Sequence, residues 1–188
     1  MEMSGSRNVP SNVEATWRAL NDPETLKACI PGCESVERVS DGEYRVAMTA
    51  RVGPVSAKFN GRILLSDVTP PVSYTMKLEG QGGAAGFANG EVRVALKPED
   101  PGTRIEYSAK AQVGGKLAQV GSRLIDGAAA KVADDFFSRL VERLGGTPEA
   151  VPLPAIPAEA DRRRLWFRVA MIILILVVLA IYWLTRPA

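Results

Sequence analysis

Cys29 and Cys33, the acidic pair Asp134-Asp135 and the tyrosines Tyr44, Tyr74 and Tyr107 are the side chains here whose types could do chemistry. The chain of 188 residues has no histidine. That removes Ser-His and Cys-His nucleophilic pairs, imidazole metal sites and the commonest general base near neutral pH. Two cysteines are too few for a four-thiolate zinc site. Asp134 and Asp135 stand among basic neighbours, the pattern of a solvated helix face. No nucleophile–base pair can be named, so no reaction and no metal are assigned. Gly80-Gln81-Gly82-Gly83-Ala84-Ala85 fits a dinucleotide fingerprint on paper, but that motif needs a helix directly after it. Strand-like alternation resumes at Glu91 instead, and the segment reads as a flexible hairpin loop or a lip that approaches a partner closely.

The elements that would position these residues follow from periodicity. Between Ser35 and Gly114 the apolar period is two. Tyr44, Val46, Met48 and Val52 fall on one face; so do Phe59, Gly61, Ile63 and Leu65 in the next run, then Tyr74, Met76 and Leu78. Val92, Val94 and Leu96, then Ile105, Tyr107, Ala109 and Ala111, continue the pattern. Ser40-Asp41-Gly42, Thr69-Pro70-Pro71 and Glu99-Asp100-Pro101-Gly102 mark turns between them. About six antiparallel strands result, with one apolar and one wet face. A short strand, Glu2 to Val9, precedes them, followed by short helices over Val13 to Leu20 and Pro23 to Cys29. Ser11 or Asn12 can cap the first helix, and Pro23 suits the first turn of the second. Lys116 to Leu144 reads as one long helix, with Leu117, Val120, Leu124, Ala128, Val132, Phe136 and Leu140 at threes and fours. Gly121 and Gly127 weaken its first half, and Gly145-Gly146 stops it.

Residues 145–161 carry four prolines and form a semi-extended linker, with a coil-like reach of roughly 20–25 Å. Val169 to Leu184 then reads VAMIILILVVLAIYWL, without a charge. As a helix it spans about 24 Å, a little short of a bilayer core of about 30 Å. Trp166, Phe167, Tyr182 and Trp183 supply aromatic anchors at the rims, and Arg162, Arg163, Arg164 and Arg168 form a basic flank. The reading is a single-pass C-terminal anchor over 162–188, with residues 1–161 in the cytoplasm, where the thiols stay reduced. Residues 1–161 hold 18 basic and 21 acidic side chains, so the soluble part has no excess positive charge to draw nucleic acid.

The order strand, two short helices, meander, long helix resembles the START-like (SRPBCC) helix-grip fold. It is an α+β fold with a curved antiparallel sheet wrapped around a long C-terminal helix, here over residues 1–144. Three segments narrow the resemblance. They are Cys29-Ile30-Pro31-Gly32-Cys33-Glu34-Ser35-Val36, Val52 to Gly61 (VGPVSAKFNG) and Gly80 to Gly90 (GQGGAAGFANG), with Asp135-Phe136-Phe137 late in the helix. They look like the CoxG family, the G component of carbon monoxide dehydrogenase. The resemblance implies a non-catalytic partner of a molybdenum hydroxylase of the CO dehydrogenase type, tethering that enzyme to the membrane.

The fold it resembles commonly holds an apolar ligand between sheet and helix. Small inward residues (Ala50, Ala57, Gly61, Ala109, Ala111, Gly121) beside Met48 and Met76 leave little bulk to fill that space. Pleat parity gives Ile30, Met48, Phe59, Met76, Leu78, Leu117, Val120 and Leu124 as lining residues, with Phe87 of the glycine loop closing the mouth. Beside a membrane, a quinone (menaquinone or ubiquinone) is the expected occupant, linking the partner oxidoreductase to the respiratory chain. Two other readings stay open: a docking adaptor without ligand, and a small-molecule cyclase or hydrolase of the same superfamily acting through an inward tyrosine.

Overall fold

The computed structural model describes residues 1–146. The linker beyond Gly146 and the expected membrane-spanning segment of 162–188 lie outside the described residues. Among the described residues no helix is long and apolar enough to cross a membrane.

Seven strands form one antiparallel sheet: β1 (Glu2–Val9), β2 (Cys33–Ser40), β3 (Glu43–Val52), β4 (Val55–Thr69), β5 (Ser73–Gln81), β6 (Phe87–Glu99) and β7 (Gly102–Gly114). Their order is β1-β7-β6-β5-β4-β3-β2, so β2 to β7 meander and β1 closes against the last strand. Two helices, α1 (Val13–Asn21) and α2 (Pro23–Cys29), fill the crossover from β1 to β2. After β7 come a single turn, α3 (Lys116–Gln119), and the long α4 (Ser122–Arg143). This is an α+β sheet with a C-terminal helix, consistent with a helix grip.

Local chemistry places the short helices. The Asn12 side chain accepts the Ala15 N–H at 2.8 Å and caps α1. The Asp22 carboxylate caps α2, accepting the Thr25 N–H at 2.9 Å and the Thr25 hydroxyl at 2.6 Å. The carbonyl of Ser11 takes the hydroxyls of Thr103 (2.6 Å) and Thr16 (3.4 Å), which ties the start of α1 to β7. Both threonines are fully buried, and these bonds satisfy them.

The helix after β7 departs from the single rod that the sequence suggests. Gly121 sits at φ +92°, which breaks the backbone between α3 and α4. The break resets the helical phase, so Leu117 belongs to a different face from the α4 stripe. Within α4 only Phe137 and Leu140 are buried. At about 100° per residue, Leu124 and Val132 fall about 140° away from Phe137. Both are exposed, at 49% and 40%. The helix stops where expected: Gly145 takes φ +86°, and the Gly146 N–H donates to Val141 O at 2.9 Å.

The main core lies under the C-terminal half of α4. Val9, Leu20, Cys29, Tyr74, Val94, Leu96 and Ile105 surround Phe137 and Leu140. A second cluster joins Val36, Tyr44 and Val46, and a third joins Phe59, Ala85 and Leu117. On the opposite face of the sheet, ion pairs such as Arg62–Glu43 (2.8 Å) and Lys97–Glu106 (2.6 Å) stand in solvent.

The two ends of α4 therefore answer differently to truncation. Leu140→Ala is expected to lower the unfolding free energy by about 2–5 kcal/mol, and Leu124→Ala to change it by about 0.5 kcal/mol or less, in urea titrations of the two variants. The α2 cap carries a pH signature. Hydrogen bonds from Thr25 hold the Asp22 carboxyl below its ordinary 3.8, so its stabilisation is present above that value and lost as pH falls through the lower folded one. Asp22→Ala should cost about 1 kcal/mol at pH 7 by chemical denaturation, with the difference from the parent narrowing below about pH 4.

Candidate functional site

The register of the sheet stacks its inner-face residues into rows across the strands. One row reads Leu96, Ile105, Arg7 and the next Tyr74, Val94, Tyr107, Gly5. These rows are packed: Tyr107 stacks on Phe137 with ring centroids 5.2 Å apart and planes at 27°. Moving toward the other end of the sheet, the rows become Leu65, Met76, Val92, Ala109, Met3, then Ile63, Leu78, Gly90, Ala111, then Gly61, Gly80, Ala88, Val113. Bulk falls from row to row. Although they face inward, these residues are half-buried. Above them, no residue of α4 before Phe137 is buried, and Ile125, Ala128 to Ala130 and Ala133 are half-buried. This end of the inner face is thus built of small residues, and the part of α4 before Phe137 is rich in alanine.

The structure distributes the nine expected lining residues unevenly. Met48, Phe59 and Leu117 meet in one cluster with Ala85. Met76 and Leu78 sit on the floor rows, Met76 also packing against the main core. Ile30 is half-buried at the end of α2, its N–H donating to Leu26 O at 2.9 Å. Val120 is half-buried at the break before α4. Leu124 is exposed and leans toward Gly53 at the β3–β4 turn. Phe87 is 39% exposed; it pairs with Gly114, over whose Cα its ring lies, and alternation sets it on the face opposite Val92, Val94 and Leu96.

The glycine segment is more ordered than a flexible loop. Gly83–Ala85 form one tight helical turn, the Gly82 N–H donates to Gly86 O at 2.8 Å, and Ala85 is buried. Strand β6 starts at Phe87, so no helix N-terminus faces a pyrophosphate there. The Phe59 ring lies against Gly82 and seals this corner of the sheet.

Arg7, which the sequence analysis left aside, meets Asp134 and Tyr107, which it named, inside the fold. Arg7 faces inward from β1, pairs with Asp134 of α4, and holds its guanidinium carbon 5.8 Å from the Phe137 ring centroid. Tyr107 adjoins both. Asp134 thus leaves the solvated face expected for it, whereas Asp135 pairs with Lys131 at 3.1 Å on the surface. The signal was present in the alternation Met3, Gly5, Arg7, Val9, whose last member is apolar. The thiols are poor nucleophiles: burial raises the pKa of both Cys29 and Cys33. Burial also raises Tyr44, Tyr107 and, most of all, Tyr74, which keeps all three phenols protonated. A separate surface groove of about 690 Å³ opens beside Trp17, Asp22, Arg38, Tyr44 and Pro70, and touches none of the nine residues.

The family whose model matches, over residues 5–145, is CoxG, the G component of carbon monoxide dehydrogenase. The chain belongs to that family. Its fold is shared by a conserved protein from Geobacillus kaustophilus at 32% identity, covering 77% of this chain and 95% of that one, with a TM-score of 0.72. TTHA0849 from Thermus thermophilus matches at 19% identity over 77% and 97%, TM-score 0.59. The Zhui aromatase/cyclase from Streptomyces sp. R1128 matches at 10% over 77% and 93%, TM-score 0.58. These last two share the fold alone. No curated protein matches the chain. The sequence segments around Pro31, Pro54 and Gly82 are turns and strand ends.

The seal at Gly82 can be tested directly. A Cβ there would stand 2.5 Å from the Phe59 ring, so Gly82→Ala is expected to destabilise the domain by about 1–3 kcal/mol, read as a lowered thermal midpoint.

Proposed function

We propose that this CoxG-family chain is a non-catalytic, membrane-tethered accessory protein. It recruits a molybdenum oxidoreductase of the CO dehydrogenase type to the cytoplasmic membrane face and holds an isoprenoid quinone in the trough between α4 and the sheet. The observation that supports the reading is burial: inward-facing Met76, Leu78, Gly80, Gly90, Val92, Ala109 and Ala111 stay half-buried and α4 has no buried residue before Phe137, which we read as a trough between them. Apolar surface left uncovered inside a grip gains about 25 cal/mol for each Å² that a ligand removes from water. An isoprenoid tail is already dry in lipid, so transfer into the trough is near balanced, which suits a presenting site better than a store. The sequence of 162–188 supports the tether, and the linker's reach of roughly 20–25 Å lets one domain meet both bilayer and enzyme.

The chemistry of the interior argues against turnover. The chain has no histidine, and both thiols and the three inner phenols are biased toward their protonated forms. The test is to purify the full-length chain from its membrane and identify the co-purifying lipids by mass spectrometry. Quinone enriched over the bulk extract is the expected result, with Ala111→Phe, which fills the floor, lowering the bound quinone about tenfold or more. A quinone fraction equal to that of the bulk lipid, in parent and variant alike, would leave a docking adaptor without ligand.

A further inference from the structure

We infer that Arg7 and Tyr107, with Asp134 behind Arg7, form the polar end of the trough and receive a neutral carbonyl oxygen on the ring of the bound ligand. The inference rests on the ligand-binding reading of the trough and names the contact that would select the ligand. Rows of decreasing bulk run from Tyr107 through Ala109 to Ala111 along β7, so the Tyr107–Phe137 stack is the wall at which the packed core gives way to the floor. A ligand lying on that floor meets this wall end-on.

The wall is polar where the surroundings are not. The Tyr107 hydroxyl projects over Gly5, where an added Cβ would stand 2.6 Å from it. It makes no hydrogen bond among the described residues, and it is not sealed away as a buried unpaired atom. Burial raises its pKa, so it keeps its proton and remains a donor near neutral pH. Arg7 has a side chain only 16% exposed. Its guanidinium carries five N–H donors. Bonds to Ser6 O, at 2.9 Å, and to Asp134 use two of them among the described residues. A guanidinium held against an apolar face is costly unless it is paired, and the pair with Asp134 returns little beyond what apolar side chains would give. Donors left over at such a position gain most from an acceptor supplied by a ligand.

Charge selects among acceptors. Arg7 and Asp134 cancel, so a carboxylate or phosphate entering here gains little net attraction for giving up its hydration, whereas a neutral carbonyl gives up far less and needs only the donors. The site therefore suits a quinone or ketone ring better than a fatty acid.

Titration calorimetry on the full-length chain in detergent tests this with three probes: a short-tailed menaquinone, the hydrocarbon phytane, and palmitate. Tyr107→Phe keeps the stack on Phe137 and removes only the hydroxyl. It should weaken menaquinone binding about tenfold, the scale of one hydrogen bond, and leave phytane unchanged. The double variant Arg7→Met with Asp134→Leu exchanges the ion pair for apolar bulk and should act in the same sense. Menaquinone bound equally by the parent and both variants overturns this assignment and leaves the trough reading standing. So does palmitate binding the parent as tightly as menaquinone. A parent chain that binds no menaquinone overturns both.

Discussion

Everything in this domain turns on α4 burying side chains at one end only. Phe137 and Leu140 enter the core formed by Val9, Leu20, Cys29, Leu96 and Ile105, and no residue of the helix before them is buried. Two large apolar side chains gain about 1.5–3 kcal/mol each by full burial, enough to pin a helix end. The preceding turns offer alanines, Gly127, Asp126 and Lys131 instead. Of the larger apolar residues there, Leu124 and Val132 are exposed and Ile125 is half-buried, and the charges prefer water. Gly121 then uncouples this half from α3, whose Leu117 packs into a different cluster with Phe59 and Ala85. The stretch from α3 through α4 is thus fixed at its two ends and unfastened between them.

The sheet answers with a complementary gradient. Gly61, Gly80 and Gly90 on the inner faces of three adjacent strands forfeit side-chain packing and weaken strand propensity. Such a choice is tolerable because the other end of the same strands carries Tyr74, Val94, Leu96 and Ile105, which are buried. The largest core lies at one end of the grip, and the smaller cluster of Phe59, Ala85 and Leu117 closes the other. Arg7–Asp134 stands at the boundary, where a charged pair spans the gap between β1 and α4 and sets the helix off from the sheet. A sequence selected for stability alone gains nothing from this arrangement, since apolar replacements of buried ion pairs are commonly neutral or better.

Much of this is legible in the chain, for local reasons. Asn12, Asp22-Pro23 and Gly145-Gly146 are chemical signals that act within a few residues, and they bound α1, α2 and α4 as expected. Alternation places the strands because each has one wet face. The failures are non-local or errors of phase. Leu124, Val132 and Leu140 all lie within α4, but steps of four drift about 40° each, so by Leu124 the expected stripe has turned about 160° away from Leu140. Phe87 reads as part of a loop, yet it opens β6 as the cross-strand partner of Gly114. Arg7 is hidden because β1 has serines, a glycine and one arginine where a periodic signal needs apolar residues. The floor can be suspected from its small residues, but only the register shows that Gly61, Gly80 and Ala88 share a row.

That gradient also bears on how the proposed function could be selective. A tail moving from lipid into an apolar trough exchanges one dry environment for another, so its burial supplies little net free energy and no discrimination. Discrimination must come from groups that the bilayer interior lacks, and those are hydrogen-bond donors held against an apolar wall. Each such bond contributes about 1 kcal/mol net, more when a charged group donates. Two or three therefore shift occupancy by one to a few powers of ten while leaving the ligand free to exit. A fully lined polar pocket would retain the ligand, and a wholly apolar one would accept any lipid. Under the proposed function, a trough with one polar end lies between these limits, as handing a ligand on to an enzyme requires.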